Sequence, residues 1–356
     1  MTDAVIEAFH ARVMSRQSLR IRGGGSKDFH GGPLAGEVLD TRAHAGIVNY
    51  EPTELVVTAK CGTPLAEIKS ALAARRQFLP FEAPEFGTGT TVGGAVAAGL
   101  SGPRRMAVGS LRDFVLGVTI MDGEGRILKF GGEVMKNVAG YDVSRLMAGS
   151  LGTLGLILEV SLKVLPVPVA ESSLQFEMPQ AKALELMNRW AGQPLPVSAT
   201  CWADDRLAVR LSGAAAAVRA AQTALGGEAL AAEAADAYWG ALRDQTAEFF
   251  AGAERGPLWR LALPSVAGPV DLPGAMLIEW SGAQRWLRGD LDANKVRATA
   301  TAVGGHATLF RGASEAQRAA GVFAPLAPAL AIIHRRLKAA FDPHGVFGPG
   351  RHYPGL

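Results

Sequence analysis

Leu19-Arg20-Ile21-Arg22-Gly23-Gly24-Gly25-Ser26-Lys27 reads as a short alternating strand that runs straight into three glycines, a hydroxyl and a cation. Successive glycines let neighbouring backbone N–H groups turn toward one point, which makes an anion nest suited to a pyrophosphate. Ser26 adds a donor and Lys27 a charge. The spacing is neither G-x-G-x-x-G nor G-x-x-x-x-G-K-[ST], so it indicates neither a Rossmann unit nor a P-loop. Alone, the stretch is equally well explained as a flexible turn. Two further stretches change that. Gly87-Thr88-Gly89-Thr90-Thr91-Val92-Gly93-Gly94 holds four glycines and four β-branched residues, so no helix is expected before Ala95. Gly149-Ser150-Leu151-Gly152-Thr153-Leu154-Gly155 repeats the chemistry ahead of a strand. Three such loops before residue 160 point to an extended polyphosphate ligand, with backbone N–H groups and hydroxyls as donors.

Working outward, a helix is expected over 3–17, strands over 46–50 and 55–59, and a helix over 64–76 with Thr63 as its N-cap. Strands at 114–121 and 126–130 flank a hairpin turn, Asp122-Gly123-Glu124-Gly125. A short helix at 142–147 and a strand at 154–164 follow. Pro166-Val167-Pro168 marks a boundary, and all six tryptophans lie beyond it. The later part alternates helices (185–190, 214–225, 230–242) with strand-like stretches (200–211, 276–280), which suits a second α+β domain. A last helix is expected over 327–341.

The chain has 356 residues, enough for two domains. It is 48% hydrophobic and 19% charged, which argues for a sizeable core and against disorder. A formal charge of +3 gives no basic stripe for nucleic acid. The two cysteines, Cys61 and Cys201, allow neither a CxxC metal site nor a disulfide framework, and a reduced, cytoplasmic setting fits. The first ten residues lack the apolar core of a signal peptide. The longest uncharged run, 86–103, is too rich in Gly and Thr to be a membrane helix.

Arg22-Gly23-Gly24-Gly25-Ser26, Thr91-Val92-Gly93-Gly94, Gly102-Pro103-Arg104 through Gly109, and Asp113 with Asp122-Gly123 resemble the FAD-binding domain of the vanillyl-alcohol-oxidase / p-cresol-methylhydroxylase flavoproteins. Lys136-Asn137-Val138-Ala139-Gly140-Tyr141-Asp142 and the 149–155 loop are similar to the D-2-hydroxyacid dehydrogenase branch of that family. Phe341-Asp342-Pro343 and Pro349-Gly350-Arg351 resemble its C-terminal return. The resemblance is close over 19–165, moderate over 320–353 and only general between. It implies an α+β fold: a two-part FAD-binding domain (1–165), a smaller α+β cap domain (166–319) and a C-terminal return to the FAD-binding domain (320–356).

Carried over by position, the resemblance gives roles. Gly23, Gly24, Gly25, Ser26 and Lys27 would hold the FAD pyrophosphate. Pro84, Thr90, Thr91, Gly93 and Gly94 would line the other side of the phosphate and ribose. Ser101, Gly102, Arg104 and Gly109 would lie along the flavin end, and Ile157 would offer backbone groups to the adenine end. Covalent members carry a histidine near the first loop. Ser26 stands there, so noncovalent FAD is expected.

The departures bear on activity. Relatives often have a Lys-Tyr pair where this chain has Ala107-Val108. Full catalytic relatives also carry an HxGDGNxH metal signature. The seven histidines here form no such motif, and His306 stands alone in a strand-like stretch. The resemblance therefore implies an FAD-carrying subunit that relays electrons in a glycolate-type (2-hydroxyacid) oxidase complex and is inactive alone. A homologous FAD-dependent subunit would hold the hydroxyacid site. An iron–sulfur subunit would take the electrons, and the complex could sit peripherally at the inner face of the membrane. The alternatives are a self-contained D-2-hydroxyacid dehydrogenase, with Arg311 or Arg351 on the substrate carboxylate, and a noncatalytic scaffold. The intact glycine loops argue against the scaffold.

Overall fold

The structure is a computed structural model that describes residues 4–132, 142–252 and 256–356. The Lys136-to-Tyr141 motif lies outside the described residues. The chain divides into two compact units. The first comprises Met1–Leu100, Ser110–Pro166 and Ser314–Leu356, and the second Ser101–Gly109 and Val167–Ala313. The segment 101–109 thus groups with the second unit rather than with the expected 1–165 block.

The first unit is built on a five-stranded antiparallel sheet. Its order is Ile47–Glu51, Val56–Lys60, Leu156–Lys163, Val115–Met121, Ile127–Gly131. The three inner strands are nearly continuous apolar runs because both their faces are covered. The strand Leu19–Arg22 pairs in parallel with Glu37–Asp40, and Leu19 also bridges Phe347. Phe9 and Val13 of the helix Ala4–Met14 pack there with Leu19, Leu39, Val346 and Phe347, so the entry to the first glycine loop rests on the C-terminal segment.

The helix Leu65–Ala73 buries Leu65, Ile68 and Leu72, the face its spacing predicts. Its N-cap is Pro64, not Thr63. The Thr63 hydroxyl instead accepts from the Gly46 N–H at 2.9 Å and donates to the Lys60 carbonyl at 2.7 Å, tying the preceding strands together.

The second unit is an eight-stranded antiparallel sheet with helices on it. Leu184, Met187 and Trp190 from the helix Gln180–Ala191 and Val218 from the helix Ala215–Leu225 pack on Trp202, Leu207, Val209 and Ile278. Where one strand is expected over 200–211, there are two, Val197–Ala203 and Arg206–Gly213. They turn through Asp204 at φ 47° and Asp205 at φ 55°, as two-residue hairpins require.

Candidate cofactor site

The first glycine loop leaves its strand at Arg22, whose Nε lies 2.9 Å from Asp28 Oδ2 and closes the loop's base. A Cβ on Gly24 would stand 1.9 Å from the Gly89 carbonyl oxygen, and one on Gly23 would stand 2.2 Å from Thr91 Oγ1. The glycines are therefore required first by the approach of the second loop, backbone against backbone, before any ligand is considered. Gly25 sits at φ 73°, which a side chain would strain. Among the described residues the N–H groups of Gly24, Gly25 and Ser26 donate to no protein group. Such a run of free donors is what an anion nest presents.

A hydroxyl chain links the two loops. Lys27 Nζ donates to Ser26 Oγ at 3.3 Å, and Ser26 Oγ lies 2.8 Å from Thr90 Oγ1. Thr90 gives its own proton to the Glu85 carbonyl at 2.6 Å, so Ser26 is the donor in the middle contact. Glu85 is held in turn by Lys69.

The helix of the second loop is Val92–Ala98, three residues earlier than propensity predicts. Thr91 caps it, accepting from the Gly94 N–H at 3.3 Å, and Val92 and Val96 are fully buried. Capping and burial outweigh the low propensity of two glycines. The two glycines do different work. Gly94 faces the space between the loops. Gly93 faces away, where a Cβ would come 2.6 Å from Cys61 Cβ, so it lets the helix settle on the sheet.

Gly23 to Asp28, Thr90, Thr91 and Gly94 line one open cleft with about 490 Å³ of free space. Leu151 and Arg351 complete its wall. The third loop thus contributes Leu151, while its backbone N–H groups at Gly149 and Leu151 donate to Val96 and Ala97 of the helix. Pro84 is buried outside the cleft lining. Ile157 is a core residue of the central strand opposite Ile120 and does not line it either.

Sequence reasoning missed the work of Arg351. Its guanidinium donates to the carbonyls of Gly32 at 2.6 Å, Asp28 at 3.1 Å and Lys27 at 3.3 Å, binding the C-terminal segment across the first loop. Burial and the nearby Arg318 push it down to about 10, still cationic at neutral pH. With those donors engaged, Arg351 is a structural residue rather than a substrate clamp. Arg311, the other arginine considered, donates to Gln245 Oε1 at 2.9 Å.

Ser101, Gly102, Arg104 and Gly109 all lie in the second unit. Arg104 is only 6% exposed, pairs with Glu171 at 2.6 Å and donates to Ser212 Oγ at 3.0 Å. It is neither a surface arginine nor one with an idle guanidinium. Among the described residues no three His, Cys, Asp or Glu side chains group as a metal site.

The α+β frame and its glycine-built, cation-flanked cleft define an FAD-binding flavoprotein, and residues 2–131 match the family model described as an FAD binding domain. The fold is shared with alkyldihydroxyacetonephosphate synthase at a TM-score of 0.64 and 14% identity, over 96% of this chain and 74% of that one. A D-lactate dehydrogenase of Anaerostipes hadrus is 38% identical over 128 residues, 36% of this chain and 26% of that protein. Glycolate oxidase subunit GlcD of Bacillus subtilis is 32% identical over 128 residues, 36% of this chain and 27% of that protein. The chain belongs to the family of glycolate oxidase subunit GlcE: the Escherichia coli member is 48% identical over 355 residues, covering 100% of this chain and 98% of that protein.

Proposed function

We propose that this chain is the FAD-holding, electron-relaying subunit of a glycolate (2-hydroxyacid) oxidase complex. The full-length similarity to a GlcE subunit supports the assignment. The observation that carries the cofactor role is the row of N–H groups at Gly24, Gly25 and Ser26, residues that line the cleft and whose N–H groups have no protein acceptor. These groups, with Gly23, Thr90, Thr91 and Gly94, hold the pyrophosphate, and Lys27 and Arg22 balance its charge. Pro84 and Gly93 position the second loop from behind, and Ile157 backs the adenine end from the sheet. Ser101, Gly102, Arg104 and Gly109 keep the roles along the flavin end that the resemblance gives them. In this reading the first unit is the FAD-binding domain and the second the cap.

Bound FAD supplies two-electron oxidation and stepwise electron release. The chain's own part is to hold the phosphates in a fixed register through preorganised backbone donors. Binding is noncovalent, because a serine stands at the attachment position. Precipitation in acid is expected to release all the yellow colour, and flavin left on the precipitated chain would refute noncovalent attachment.

The hydroxyacid site belongs to a homologous flavoprotein subunit, and an iron–sulfur subunit accepts the electrons. The complex works on the cytoplasmic side of the membrane. Among the described residues no helix is long and apolar enough to cross one. The isolated, flavin-loaded chain is therefore expected to reduce dye with glycolate or D-lactate at under about 1% of the rate of the whole complex. A 10²-fold loss is the scale of removing a positioned acid–base group. A rate comparable to the complex would make the chain a self-contained dehydrogenase.

A further inference from the structure

The helix Pro328–Phe341 has 14 residues, yet none of them is buried. One side of it is fixed to the first unit. His334 packs its ring on His352 and Tyr353, with centroids 6.0 and 5.4 Å away. Phe341 meets Phe130 at 6.4 Å, and Lys338 holds Asp342 at 2.7 Å. Residues 334, 338 and 341 lie on one helical face, so these contacts set which way the helix is turned. The neighbouring sector carries Leu330, Ile333, Leu337 and Ala340, at steps of three, four and three. Leu330 is 50% and Ile333 52% exposed, with Ile332 near them at 44%. This stepping is that of a helix–helix seam, whose side chains interlock with those of a partner helix crossing at about 20°.

A cleft opens beside the seam, and Leu337 belongs to both. The cleft has about 730 Å³ of free space, and Leu146, Leu154, Leu356, Arg112 and Arg145 also line it. Arg145 pairs with Asp142 at 3.3 Å. The guanidinium groups of Arg112, Arg335 and Arg336 make no ion pair or hydrogen bond among the described residues. The helix itself carries no Asp or Glu. A second copy of this chain would set cation against cation, which disfavours self-pairing. A lipid surface attracts cations too, but it is flat and leaves a concave cleft unfilled. An amphipathic helix satisfies all three features. Its apolar face lies in the seam and cleft, and carboxylates at its flank meet Arg112 and Arg336.

We propose that this seam and the cleft beside it dock one helix of another subunit, apolar at the same steps and bearing Asp or Glu along its flank. The surface lies wholly on the first unit. The third glycine loop stands between the two clefts: Leu151 lines the cofactor cleft, and Ser150 and Thr153 line this one. The docked helix is thus one loop away from the cofactor site. That the partner is a subunit of a 2-hydroxyacid oxidase complex rests on the proposed function.

The test uses the tagged full chain, recovered with its partners from its native source. With p-benzoylphenylalanine in place of Leu330, irradiation is expected to cross-link the chain to another polypeptide. Mass spectrometry of the joined peptide should show the apolar steps and the flanking carboxylates. Ile333→Glu should cut the partner recovered per chain by about tenfold or more, the loss of a central apolar anchor. Its melting temperature should stay that of the parent, because the position is exposed. Arg336→Glu should weaken recovery and Arg336→Lys should not. Val169→Glu, at an apolar residue 80% exposed on the second unit, should change nothing. A cross-link to a second copy, to a segment without carboxylates, or to nothing although a complex assembles, would overturn the proposal. So would full recovery with Ile333→Glu or Arg336→Glu, or an equal loss with Val169→Glu. If Ile333→Glu lowers the melting temperature, the Leu330 cross-link decides. Sedimentation with phosphatidylglycerol vesicles covers the lipid alternative: binding by the parent that Ile333→Glu abolishes would overturn the proposal as well. The partner's identity tests the function separately. A cross-linked partner with neither flavin nor an iron–sulfur cluster would fault the proposed function alone. A flavoprotein partner recovered undiminished with Ile333→Glu would fault this proposal alone.

Discussion

Gly24→Asp is expected to purify colourless and to melt well below the parent protein. Its Cβ would stand 1.9 Å from the Gly89 carbonyl oxygen, a backbone atom that cannot swing aside. Forcing the loops apart costs about 1–3 kcal/mol, as overpacking does. The new carboxylate also faces the phosphates, at about 1–4 kcal/mol for charges 4 Å apart in surroundings between water and a protein surface. Together the two reach about 4 kcal/mol, roughly a thousandfold in Kd. Gly94→Asp separates the parts. A Cβ there meets only Thr91 Oγ1 at 3.2 Å, so the same charge enters the cleft with little steric cost. It should lose flavin yet keep most of the melting temperature. The absorbance ratio of flavin to protein after gel filtration, read beside a thermal melt, checks both. Stoichiometric flavin on Gly94→Asp would remove the pyrophosphate from this cleft.

Asp342→Ala is expected to give the other large loss, with no contact to the cleft at all. The Asp342 side chain is fully buried; Oδ1 accepts from the Val346 N–H and Oδ2 from the Phe347 N–H, each at 2.8 Å. Lys338 Nζ pairs with it at 2.7 Å while also donating to the carbonyls of Thr153 and Phe347. Truncation strands an ammonium and two buried N–H groups, which costs about 3–5 kcal/mol. The Leu19–Phe347 bridge then loosens, and with it the strand that feeds the first glycine loop. Denaturant unfolding should show a lower midpoint at unchanged slope, and flavin should be held more weakly. Asp342→Asn, which keeps one acceptor, should fall between. An unfolding free energy within about 0.5 kcal/mol of the parent, the ordinary range of a surface substitution, would contradict this account.

That the first two glycine loops meet at one cleft was legible because glycine clusters where backbones must approach closely. Three loops of the same composition stood out against ordinary strands, and the hairpin around Asp122-Gly123 followed from its turn residues. What escaped had physical causes. The strand Gln284–Arg288 carries Arg285 and Arg288, and charge normally signals surface. Both are buried here, donating to backbone carbonyls of neighbouring loops, Arg285 to Gly268 and Arg288 to Gly252 and Gly256 among them. The pairing of 101–109 with the second unit is a long-range fact that no local pattern encodes. The same limit hid Arg351, whose importance lies in carbonyls more than three hundred positions away.

That distance also orders events in time. Lys27 and Arg351, which meet across the cleft, stand 324 positions apart. At about 5–20 residues per second, synthesis separates them by roughly 16–65 seconds. Throughout that interval the first glycine loop is outside the ribosome without the arginine that braces it, and Leu19 is without the segment it pairs with. A nascent chain therefore cannot finish the cleft as it emerges. The cleft is complete only once residues 342–351 have been made.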